Sequence, residues 1–125
     1  MPRRRSRRVK YLPQAVVQRV LGNELLLAVA MVLLESGEPV QTGDVKRALE
    51  QRGVEISTGY VSKLLRRLER WSVARAFKNP VNGRLLWVAK PSRTTELLVS
   101  ELRKKEAKAV LEAMRVGDLG DWEEG

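Results

Sequence analysis

The stretch VEISTGYVSKLLRRLERW, residues 54–71, carries Lys63, Arg66, Arg67 and Arg70 at helical spacings, with leucines at the positions between them. The chemistry open to such residues is anion recognition. A guanidinium fork binds a phosphate, or the acceptor edge of guanine, through two parallel hydrogen bonds. Ser57 suits a helix N-cap, and the unpaired N–H groups at that end, with the hydroxyls of Ser57 and Thr58, would receive a phosphate. Gly59 permits close approach. A solvated basic face uses the same residue types. It usually interleaves acids at i+4, however, and Arg66, Arg67 and Arg70 have none there.

Other chemistries are poorly supplied. The chain has no cysteine and no histidine, which excludes disulfides, thiolate metal sites and the commonest general base and metal ligand. No carboxylates or lysines cluster in their place, so neither an enzyme nor a metal or cofactor is expected. Net charge is +9 over 125 residues, with a sequence pI near 10.5, a balance that favours a polyanion. Its distribution is uneven. Residues 1–10 contribute +6, 57–91 contribute +7, and the last nine residues contribute −4. The longest apolar run, Leu25 to Leu34, is too short to span a bilayer and is wrongly placed for a signal peptide, so a cytoplasmic, nucleoid-associated protein is expected and a membrane partner is not.

These residues need elements to position them. Residues 1–12 lack apolar periodicity and read as a disordered basic arm, with Arg3, Arg4, Arg5, Arg7 and Arg8 available to an adjacent minor groove. A short helix should follow Pro13, and a second, ELLLAVAMVLLES, should run from the N-cap Asn23 to Gly37. That helix is apolar nearly all round, so a face beyond the core would meet another helix or subunit. Pro39 to Gln41 could form a short strand. Thr42 is placed to cap a helix ended by Gly53, with Asp44 at its positive end. Within 57–71, Ile56 and Val61 are spaced as a hydrophobic staple. Val61, Leu64, Leu65, Leu68 and Trp71 form the buried seam, leaving Tyr60, Ser62, Lys63, Arg66, Arg67 and Arg70 outside.

Asn82-Gly83 between two apolar runs predicts a hairpin over 73–90 with a two-residue turn, pairing Phe77 with Val88 and Lys78 with Trp87. Phe77, Leu86 and Val88 are expected inward. Pro91-Ser92 should open a long helix to about Val116, stopped by Gly117, and residues 117–125 read as an acidic tail.

The succession LLLAVAMVLLESGEPVQTGDVKRALEQRGVEISTGYVSKLLRRLERWSVARA, followed by NPVNGRLLWVA, resembles the winged helix-turn-helix superfamily, with MarR-like and related archaeal regulators nearest in layout. Roughly half the chain carries the likeness. One departure is that Trp71-Ser72 stands where many relatives have a glycine between the third helix and the wing. The resemblance implies a mainly α (α+β) fold: a winged-helix domain over 13–91 with an added N-terminal helix, and a C-terminal helix over 92–116. It implies that the third helix enters the major groove of double-stranded DNA. Ser57, Thr58, Gly59, Tyr60, Ser62, Lys63, Arg66 and Arg67 would then face the DNA, with Lys78, Asn82 and Arg84 at the wing. Arg70 belongs to the same basic surface. The expected function is a sequence-specific transcriptional regulator, dimerising through the C-terminal helix and helix 24–36. Two alternatives stay open: an architectural, chromatin-type protein with little sequence preference, or a protein- or RNA-binding winged helix in a larger assembly. No small-molecule ligand is inferred.

Overall fold

A computed structural model describes residues 12–124, with side-chain burial through residue 115; the basic arm lies outside the described residues. The elements are α1 (Pro13–Leu21), α2 (Glu24–Ser36), β1 (Val40–Gln41), α3 (Thr42–Gln51), α4 (Thr58–Arg70), β2 (Ala74–Lys78), β3 (Leu85–Ala89) and α5 (Arg93–Glu124). Helix, strand, helix, turn, helix and hairpin give a winged-helix-type α+β fold. Its three antiparallel strands lie in the order β1-β3-β2, so the short β1 closes the open edge of β3.

Local chemistry sets the boundaries. Pro13 begins α1, where its missing N–H costs nothing. The Asn23 side chain accepts from the N–H groups of Leu25 and Leu26 at 3.0 and 3.1 Å and starts α2, while Gly37, at φ 71°, ends it. The cap of α3 differs from the sequence expectation. Gln41 is the N-cap, and its N–H donates to Asp44 Oδ2 at 2.9 Å. Thr42 is instead the first helical residue, and its hydroxyl oxygen accepts from the indole N–H of Trp87 at 3.0 Å.

α3 closes with two reversed hydrogen bonds, Val54 N–H to Leu49 O and Gly53 N–H to Glu50 O, around Gly53 at φ 83°. The same motif closes α4. There Val73 N–H donates to Leu68 O and Ser72 N–H to Glu69 O, and the left-handed position is filled by Ser72 at φ 64°. The exit into the wing thus follows the glycine geometry without the glycine. Its carbonyl is held from α5: Ser92 Oγ donates to Ser72 O at 2.5 Å and Thr95 Oγ1 at 3.3 Å.

One core runs through α1 to α4, the hairpin and the start of α5. Val16, Val20, Leu26, Val29, Leu33, Val45, Leu49, Leu65, Leu68, Trp87 and Leu98 are all buried in it. α2 lies between neighbours on several sides, which accounts for its lack of a polar face. Among the described residues no single helix is long and apolar enough to cross a membrane; α1 and α2 together have the composition, but the chain bends by 108° between them.

Two expectations about the wing are corrected. Phe77 pairs with Leu86 and Ala76 with Trp87, a register two residues from the one a two-residue turn would give. The tip is longer because Asn79 N–H donates to Arg84 O and Gly83 N–H to Asn79 O, enclosing Pro80–Gly83. Asn79 and Asn82 side chains accept from the N–H groups of Val81 and Arg84, and Pro80 has no N–H to extend the ladder. An even shift keeps the two faces intact, but the inward face is the other one. Trp87 is fully buried, over Ala74 and Ala76, whereas Phe77 is 37% exposed. Two alanines leave room for an indole whose N–H finds Thr42; the Phe77 face offers no such partner.

The last correction concerns α5, which continues through Gly117 and Gly120 to Glu124. Glycine weakens a helix but ends it only when the backbone turns there.

Candidate nucleic-acid interface

α4 presents its cations because its opposite side is bolted down. Val61, Leu64, Leu65 and Leu68 are buried, and Trp71 with them. Ser57 Oγ accepts from Tyr60 N–H at 3.1 Å, confirming the N-cap. Its hydroxyl hydrogen remains free to donate outward. Ser57, Thr58, Gly59, Tyr60, Lys63, Arg66 and Arg70 are exposed, while Ser62 and Arg67 are half-buried. With 3.6 residues per turn, Gly59, Lys63, Arg66 and Arg70 fall on one outward stripe.

Arg67 departs from that stripe. It lines a shallow groove with Gln18, Arg19, Gly22, Asn23 and Trp71, on the α1 side of the helix. Arg19 thereby becomes a second cation near α4. Nothing local in the sequence pairs residues 19 and 67.

Arg66 is less free than its spacing implied. Its guanidinium donates to Glu69 Oε1 at 3.1 Å, and its Cζ stands 5.2 Å from the centroid of the Trp87 ring. The acid sits at i+3 rather than i+4. Arg66 therefore joins α4 to the wing, and through the Trp87–Thr42 hydrogen bond to the start of α3. Among the described residues Lys63, Arg67 and Arg70 make no ion pair, whereas Arg47 is paired with Asp44 and Arg52 with Glu35.

At the wing Lys78, Asn82 and Arg84 are exposed beside the tip. Arg84 also reaches Gln41 Oε1 at 3.4 Å. Arg75, absent from the expected set, is exposed on the outer face of β2 opposite Val88; strand alternation could have revealed it, given the correct inward face. The structure thus brings Lys63, Arg66 and Arg70 together on α4 and leaves Arg67 on a flank. Arg3, Arg4, Arg5, Arg7 and Arg8 lie outside the described residues.

No family model matches the chain, and no curated protein does. Among solved structures the chain is similar to a PadR family transcriptional regulator from Eggerthella lenta DSM 2243. Identity is 24%, the TM-score is 0.49, and the match covers 85% of this chain and 92% of that one.

Proposed function

We propose that the protein binds double-stranded DNA as a non-catalytic transcriptional regulator, with α4 in the major groove. The wing and the basic arm would lie on the backbone or in a minor groove. One observation carries this reading: an outward row of cations on a helix whose other side is wholly buried, so that the row is rigid and accessible. Phosphate contacts would supply most of the affinity and α4 the base choice. A two-fold pair of chains would set two copies of α4 about 34 Å apart, one turn of duplex.

The test is binding to a random duplex pool, with selection of the retained sequences. Enrichment of a site with two half-sites supports the regulator. A specificity ratio near unity moves the reading to an architectural coat, and no duplex binding at low salt moves it to an RNA- or protein-binding winged helix. The double variant Lys63→Ala, Arg70→Ala should lose binding while remaining folded, since neither side chain enters the core. Undiminished binding by that variant would remove α4 from the interface.

A further inference from the structure

We propose that Arg19 of α1 and Arg67 of α4 clasp one phosphate of the duplex, on the strand that borders α4 away from the wing. The proposal rests on the DNA reading above and adds α1 to the contact. It starts from the two flanks of α4, which differ in charge. Glu69, the one acid in that helix, lines a recess on the wing side with Arg75 and Lys90 and pairs with Arg66. Across the helix, Arg67 stands four residues after Lys63 and three before Arg70, so the three are neighbours on its surface. None of them has an ion pair among the described residues, and neither has Arg19.

The groove that Arg19 and Arg67 line contains no acid. The Asn23 carbonyl oxygen is occupied by the N–H groups of Leu25 and Leu26, which leaves its amide NH2 as a donor. Gly22 adds no side chain to the groove, so a strand can come close. Like charges gathered without a counterion oppose one another, and an open groove of donors suits an anion. The dimensions of DNA say which one. The major groove is about 12 Å wide and a helix with its side chains about 10–12 Å across. A helix lying there has a sugar–phosphate strand on each flank. The wing cations face one strand, and Arg19 with Arg67 face the other, where guanidinium forks match phosphate oxygens. Arg19 also lies in the last turn of α1, where a cation suits the carbonyl end of the helix. That duty needs no contact with DNA, and the two are separable.

In the full chain, Arg19→Ala and Arg67→Met should each weaken binding about tenfold to two unrelated duplexes alike, because phosphate is common to every sequence. Each should flatten the logarithmic salt slope by about 1, and the double variant by about 1 rather than 2, since both side chains hold one phosphate. Methionine keeps the apolar stem of the half-buried Arg67. Arg52→Ala, which removes a cation already paired with Glu35, should leave the slope unchanged and controls for lost net charge. Unchanged affinity for Arg19→Ala leaves that residue only its helix-end duty and overturns the proposal. A slope change near 2 in the double variant means two separate phosphates and overturns the clasp. So does a loss confined to one of the duplexes, which means base contact. A wild-type chain that binds no duplex removes the DNA reading itself, and the clasp with it.

Discussion

At the scale of single residues, several side chains have two duties that substitution can separate. Ser57 caps α4 and also points a hydroxyl outward. Ser57→Ala should cost about 1 kcal/mol of stability in denaturant unfolding. Ser57→Asp should keep the cap, since a carboxylate accepts the Tyr60 N–H, yet weaken duplex binding by placing a negative charge where a phosphate would sit. Equal duplex affinity for Ser57→Asp and wild type would move the phosphate away from this helix end. Ser72 holds a left-handed backbone that costs a non-glycine residue about 1 kcal/mol. Ser72→Gly should therefore raise the denaturation midpoint modestly; a drop would mean that the Ser92 and Thr95 hydroxyls on its carbonyl depend on the serine itself. Caps and stops were legible in the sequence at Asn23, Gly37, Gly53 and Ser57 because each acts on its own neighbours. The Arg66–Trp87 contact and the Thr42–Trp87 hydrogen bond, across 45 residues, were not legible, because they exist only once three elements have met.

Among the elements, the helices were the most legible and the wing the least. Period 3.6 marks one face of α4 unmistakably, since Val61, Leu64, Leu65 and Leu68 have no competing stripe. The hairpin has apolar residues on both faces, so alternation alone does not choose between Phe77 and Trp87. Asn82-Gly83 marks the turn correctly but not its length, because Asn79 and Pro80 shape the tip before it. The consequence is testable by unfolding. Trp87→Ala should cost about 3–5 kcal/mol through the cavity it leaves, and Phe77→Ser should cost far less, near the range for surface changes. Comparable losses for the two would contradict the assigned inward face. α5 ran past its expected end for a different reason, since a glycine in a sequence does not say whether the backbone turns there.

For the whole molecule, charge is the property that scales. If about six to ten phosphates are neutralised, duplex affinity should fall about 10³- to 10⁵-fold between 50 and 200 mM salt. Removing residues 1–11, which contribute +6, should flatten the logarithmic salt slope by up to about 5; an unchanged slope would exclude the arm from the contact. The total charge and its concentration around α4 were evident from composition. That Arg19 lines one groove with Arg67 was not, because it depends on how α1 crosses the body. The anchoring of α5 carries a mechanical consequence. Clamped near Leu98, with every side chain from 103 to 115 exposed, the described stretch beyond the clamp is a lever about 20 Å long. A tilt of about 10° at its root would swing residue 115 by about 3 Å, so repacking a few side chains under Thr94 and Leu98 would re-aim the projecting helix without disturbing the body.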